Sequence, residues 1–147
     1  MTISNTGYWL DDNLDNHRYD EPLAQELLAF FKNEKANSIV DFGCGHGNYT
    51  KLLNQEISTD GFDGNPNTFE LTNGLCNVLD LSRSVDLDKQ YDWVLSLEVG
   101  EHIPKEFETS FLYNLHRHNT KGIVLSWAIP GQGGHGLERL PDEGRGL

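Results

Sequence analysis

Apolar positions in this chain fall into short runs separated by amphipathic stretches, the alternation expected of a parallel sheet covered by helices. Residues 1–19 show no period, with Tyr8, Trp9, His17 and Tyr19 set among polar residues. They read as an N-terminal arm, packed on the first helix in preference to lying as a lid over a site. Asp20-Glu21-Pro22 offers a cap and a first-turn proline. Leu23, Leu27 and Phe31 with Ala24 and Leu28 then predict an amphipathic helix ending near residues 35–37. A strand is expected over 38–42, a helix over 47–54 with Tyr49, Leu52 and Leu53 inward, and a weaker strand over 57–62. A short helix over 67–72 and a strand over 75–79 follow, then a charged loop or ragged helix over 82–90. The run YDWVLSL at 91–97 is a strong strand. Pro104 opens a helix with Phe107, Phe111, Leu112 and Leu115 on its inner face, and GIVLSWA at 122–128 is the last strand. One domain over 20–136 is expected, with 1–19 as the arm and 137–147 as a loose tail.

The first strong run leads into Asp41-Phe42-Gly43-Cys44-Gly45-His46-Gly47. Glycine is needed where φ is positive or where a ligand must touch backbone, and a following helix turns free N–H groups toward the turn. The spacing departs from the G-x-G-x-x-G dinucleotide fingerprint, because the third glycine comes one residue early and Asn48 holds the last place. That argues against a nicotinamide-dependent oxidoreductase on the same architecture. Asp63 follows 20 residues after Gly43, in TDGFDGNP, with Asp60 as its competitor. A glycine turn without a ligand is the plain alternative.

Composition narrows the classes. The 147 residues, 37% hydrophobic, suit one domain. A net charge of −12 with 11 scattered Lys and Arg argues against a nucleic-acid partner. Cys44 and Cys76 have no metal-like spacing. His116 and His118 do not share a helical face, so no metal is expected, and both would place positive charge at a helix C-terminus. There is no signal-like h-region and no run of ~18 apolar residues, which suggests a cytoplasmic chain without a membrane partner.

Asp41 before the loop and the early third glycine resemble motif I of the class I S-adenosylmethionine-dependent methyltransferases. The segment Glu98-Val99-Gly100-Glu101-His102-Ile103-Pro104 resembles the stretch after the fourth strand of small-molecule members. The resemblance covers roughly residues 37–130. It implies a Rossmann-like, doubly wound parallel sheet in three α/β/α layers, strand order 3-2-1-4-5, with the cofactor at the switch between the first and fourth strands. It implies S-adenosylmethionine binding by Asp41, Gly43, Cys44, Gly45, Gly47, Asp63, Gly64, Asp80, Leu81, Leu97 and Glu98. Asp63 would meet the ribose, and Asp80 the adenine, with Leu79 and Leu81 against the ring. A turn-capping role for Asp80 stays equally open. His102 and Glu101 would be general-base candidates, with His135 a third, and a plain helix-start role for His102 stays equally open. Trp127, Gln132 and His135, in and after the last strand, are placed to touch substrate.

The implied activity is methyl transfer to a small-molecule acceptor, the alternative being a non-catalytic S-adenosylmethionine-binding protein. The family's sheet continues beyond the fifth strand, whereas residues 129–147 do not read as strand. A C-terminally shortened sheet is therefore expected, its fifth-strand edge covered by the tail or by a second copy in a homo-oligomer.

Overall fold

The computed structural model describes residues 3–10 and 19–128; His135, Gln132 and the expected tail lie outside the described residues. Five parallel strands form one sheet in the order β3-β2-β1-β4-β5. They are β1 (Ser38–Phe42), β2 (Ser58–Asp63), β3 (Cys76–Val78), β4 (Tyr91–Leu97) and β5 (Asn119–Ser126). The helices are α1 (Glu21–Asn33), α2 (Asn48–Leu53), α3 (Thr68–Leu71) and α4 (Glu108–Arg117). The strand order agrees with the Rossmann-like expectation.

Side-chain alternation divides the core between the two faces of the sheet. Ile39 and Leu95 point to the face covered by Leu27, Leu28 and Phe31 of α1 and Leu53 of α2. Val40, Phe42 and Val94 point the other way, against Phe111 and Leu115 of α4 and Leu81. Burying each of these large side chains stabilises the fold by about 1.5–3 kcal/mol before entropy is counted. β4 is flanked by β1 and β5, and it contributes buried residues to both faces.

Capping starts α1 as the sequence predicts, since Asp20 Oδ1 accepts the Leu23 amide at 2.9 Å. The buried face, however, is Ala24, Leu27, Leu28 and Phe31, while Leu23 is 41% exposed. At about 100° per residue Leu23 lies at the edge of that stripe and not at its centre, so an i, i+4 match to the buried face does not guarantee burial. The same correction applies to α4, where Leu112 is 40% exposed and Asn114 is buried. The Pro104 segment is also not one helix: 3-10 turns at Gly100–His102 and Lys105–Phe107 precede α4.

Asn114 explains why residues 82–90 are held without regular structure. Its Nδ2 donates to the carbonyls of Leu81 (3.2 Å) and Arg83 (2.6 Å), and its Oδ1 accepts the Val85 amide at 2.9 Å. His118 continues the tether. Its Nδ1 bonds the Asn114 carbonyl at 2.7 Å, its Nε2 accepts the Leu87 amide at 3.1 Å, and its ring packs edge-on against Phe42. His118 is thus a buried structural residue, not an exposed side chain at a helix end.

β5 borders the sheet among the described residues, with Ile123 and Leu125 each more than a third exposed. No helix among the described residues is long and apolar enough to cross a membrane.

Asn114→Ala should destabilise the chain by about 3 kcal/mol, because it orphans one amide and two carbonyls. Leu112→Ala should stay within about 0.5 kcal/mol of wild type. Urea unfolding of both variants checks the pair, and equal losses would contradict the tether.

Candidate cofactor and active site

Beyond β1 the chain turns toward β2, and beyond β4 toward β5, so a crevice opens where the two directions part. The glycine run leaves β1 here. Gly43 and Cys44 donate their amides to the Phe62 carbonyl at 2.7 and 3.0 Å, which fixes the loop over the end of β2. Gly43 has φ +86°, and a Cβ there would lie 2.2 Å from Val99 Cγ2, beyond β4. Only glycine lets the two loops meet so closely. Gly47, also at positive φ, caps α2, which is only six residues long.

Asp63, at the last position of β2, faces this loop. Its Oδ2 accepts the Gly45 amide at 2.9 Å and its Oδ1 accepts the Asn65 amide at 2.9 Å. Asp60 is engaged elsewhere, bonded to the Tyr91 hydroxyl at 2.7 Å and to Lys89 at 3.0 Å. Burial raises the Asp60 carboxyl, but these two partners outweigh it and hold the group below its usual range. Asp41 lies on the α2 side of β1, 3% exposed, accepting the Thr50 hydroxyl at 2.8 Å. Burial pushes its carboxyl up to about 7, with the Asp63 charge adding and the Thr50 bond opposing.

The other predicted residues separate. Leu81 is 5% exposed and packs in the core beside Phe42 and Ile103. Leu97 is half-buried against the α1 face. Asp80 accepts the Ser82 amide and hydroxyl at 3.0 and 2.6 Å and pairs with Arg83 at 3.2 Å, the contacts of a turn cap. Cys44 is buried. Gly64 lies beneath Tyr8, whose Cβ would be 2.7 Å from a Cβ added at Gly64.

Tyr8 belongs to the feature that the sequence reading misplaced. Residues 3–10 form a small hairpin closed by an Ile3–Trp9 bridge and the Ser4 amide to Tyr8 carbonyl bond of 2.8 Å. It lies against Gly64 and Asn65 beyond β2 and against His102 and Ile103 beyond β4, where packing on α1 was expected. Gly7 abuts the His102 carbonyl, the Trp9 carbonyl accepts Asn65 Nδ2 at 3.0 Å, and the Trp9 ring stands edge-on to His102 at 5.4 Å. Interspersed aromatics in an aperiodic segment were the available signal, but nothing in their spacing names the surface they meet. Tyr19, the other aromatic of the arm, packs on Tyr49 of α2.

The segment after β4 carries the reactive candidates. Glu98 has φ +54°, a conformation that costs a non-glycine residue about 1–2 kcal/mol, and its amide is held by Ser126. Glu101 is 4% exposed, and its Oε2 has no hydrogen-bond partner within the protein. Burial pushes its carboxyl up to about 7, and the adjacent Glu98 carboxyl pushes the same way. His102 is half-buried beneath the hairpin. Trp127 covers Gly100, where a Cβ would lie 2.4 Å from the indole, and meets Phe111. The structure therefore brings Gly43, Gly45 and Asp63 together beyond β1 and β2, and Gly43 meets Val99 of the segment that carries Glu98, Glu101 and His102.

These features suit a cofactor with a ribose and a charged end. A backbone cradle of glycines lies beside carboxylates at the ends of β1 and β2, and the segment after β4 carries a buried acid, Glu101. Comparison with known proteins bears on the fold and the family. A probable chloroplastic tocopherol O-methyltransferase of Oryza sativa subsp. japonica is 29% identical over 77% of this chain and 36% of its own length. A structure of an S-adenosylmethionine-bound amino pentose methyltransferase from Micromonospora echinaspora superposes with a TM-score of 0.67 at 18% identity, covering 76% of this chain and 52% of that one. Magnesium protoporphyrin IX methyltransferase from Synechocystis, with S-adenosylmethionine bound, gives 0.61 at 20% identity, covering 75% and 59%. The chain thus spans about a third of the curated relative's length and about half that of the first of these structures. A family model described as a methyltransferase domain matches residues 16–125. This chain belongs to that methyltransferase domain family.

Proposed function

We propose that the chain binds S-adenosylmethionine in this crevice and transfers its methyl group to a nucleophilic atom of a small molecule. The observation that carries the reading is the Asp63–Gly45 bond, which presents a carboxylate and a glycine backbone together at the switch point of a methyltransferase-family sheet. Bound S-adenosylmethionine supplies a methyl group on a sulfonium, an electrophile open to in-line displacement. Gly43, Gly45 and Asp63 would hold the cofactor, with Asp41 supporting the loop from below and Asp80 at the neighbouring strand end. The curated relative and the two structural neighbours act on tocopherol, an amino pentose and magnesium protoporphyrin IX, as their names state, which supports an acceptor of the small-molecule class.

The chain's own contribution to the chemistry is proximity, water exclusion and proton removal. Residues 3–10 roof the crevice and shield it from water. Glu101, placed near neutrality by its burial, would take the acceptor's proton, and its unbonded oxygen is available for that. Trp9 would hold the His102 ring at the mouth, where His102 orients the acceptor or shares the base role.

Release of S-adenosylhomocysteine over a panel of phenols, sugar amines and carboxylates tests the reading. Asp63→Ala should weaken S-adenosylmethionine binding about 10–100-fold, the scale of a lost charged hydrogen bond. His102→Ala should bind as wild type and transfer more slowly; equal binding by all three proteins would refute the site.

Glu101 also predicts a pH dependence. Its raised carboxyl is protonated, and so not a base, below about 7. Single-turnover rate at saturating cofactor should therefore rise with pH through about 7, and Glu101→Gln should be slow and lack that limb. A wild-type rate that is flat from pH 5.5 to 8.5 would remove Glu101 from the base role.

A further inference from the structure

We propose that Gly64 and Asn65 are positioning residues: they seat the N-terminal hairpin, residues 3–10, on the turn after Asp63, so that hairpin docking and cofactor binding strengthen each other. The coupling rests on the function proposed above; the seat does not.

Both residues carry a feature that their own turn does not need. Asn65 is 6% exposed, and three of its groups serve the turn into α3. Its amide donates to Asp63 Oδ1 at 2.9 Å, its Oδ1 accepts the Asn67 amide at 2.8 Å, and its carbonyl accepts the Thr68 amide at 3.0 Å. Aspartate or serine would make the same turn. The Nδ2 group is what distinguishes asparagine from those, and it donates to the Trp9 carbonyl at 3.0 Å, 56 residues away in the chain. Gly64 lies outside the left-handed region, so its backbone would accept alanine. The space would not: a Cβ there would stand 2.7 Å from Tyr8 Cβ and 2.8 Å from Tyr8 Cδ1.

The hairpin needs such a seat. Ser4 gathers it, its amide on the Tyr8 carbonyl at 2.8 Å and its Oγ accepting the Thr6 and Tyr8 amides at 3.2 and 3.1 Å. A hairpin this short is at best marginal in water, so its order comes from the surfaces it touches. On one flank those are Gly64 and Asn65. On the other, Gly7 approaches the His102 carbonyl, where a Cβ would come within 2.5 Å, and the Trp9 ring meets His102. The hairpin thus spans from the turn after β2 to the segment after β4.

Asp63 makes the link to the cofactor. One of its oxygens holds the Gly45 amide of the glycine loop and the other holds the Asn65 amide at the seat. A ligand that fixes the carboxylate fixes the backbone beneath the hairpin, and a docked hairpin restrains the carboxylate in turn. Such coupling is reciprocal: whatever factor docking adds to cofactor affinity, the cofactor adds to docking.

Hydrogen exchange over residues 3–10 of the full chain, read by mass without ligand and with saturating S-adenosylmethionine, tests both halves. One variant is Asn65→Ser, whose hydroxyl still takes the Asn67 amide but is too short to reach the Trp9 carbonyl. The second is Gly64→Ala, and Phe69→Ala, half-exposed on α3, is the control. Without ligand, both seat variants should exchange residues 3–10 about five- to tenfold faster, the opening factor of a lost hydrogen bond. Exchange in β1 and β4 should match wild type, and the control should leave the hairpin unchanged. S-adenosylmethionine should slow the wild-type hairpin by about threefold or more, and calorimetry should find it bound about three- to tenfold more weakly by the seat variants. Unchanged hairpin exchange in both variants, or acceleration spread equally over β1 and β4, would overturn the seat. Cofactor binding that alters neither hairpin exchange nor the variants' relative affinities would overturn the coupling. A wild-type chain that does not bind S-adenosylmethionine would overturn the proposed function and the coupling together, while exchange in the free chain still decides the seat.

Discussion

One hydrogen bond joins the parts of the candidate site: the Gly45 amide to the Asp63 carboxylate. It ties the loop leaving β1 to the end of β2, the neighbouring strand. The carboxylate's second oxygen caps the turn at Asn65, and Asn65 in turn holds the Trp9 carbonyl of the roofing hairpin. Loop, strand end and roof are therefore linked through one side chain. A charge-assisted bond of this kind is worth about twice a neutral one, and it needs a loop without side chains to reach. Gly43 meets the second requirement by touching Val99 from the opposite side of the crevice.

Electrostatics then divide the acids into two kinds. Asp60 finds a hydroxyl and an ammonium at the surface and stays ionised. Asp41 and Glu101 are buried, and burial pushes each up to about 7. A protein spends stability on such groups mainly where they serve a site, and these two flank the crevice from β1 and from the segment after β4. The strained Glu98 lies beside the second of them.

Much of this was legible in the chain. Residues 38–42 and 91–97 announce β1 and β4 because central parallel strands are nearly continuous apolar runs bounded by glycine or charge. The loop and Asp63 were legible because glycine at positive φ and an acid at a strand end are local requirements. What stayed hidden depends on contacts distant in sequence. Asn114 and His118 look like exposed polar residues until residues 81–87 fold against them. The N-terminal hairpin has no period to betray its target. Leu23 and Leu112 fit the helical period yet remain exposed, because periodicity fixes a direction and not the extent of the surface that covers it.

The central claim is that the loop is built for S-adenosylmethionine and not for a dinucleotide. Calorimetric titration of the reduced chain with S-adenosylmethionine and, separately, with NAD tests it most directly. The account predicts one site of micromolar affinity for the first and no heat of binding from the second. Binding of NAD alone, or of neither, would contradict it.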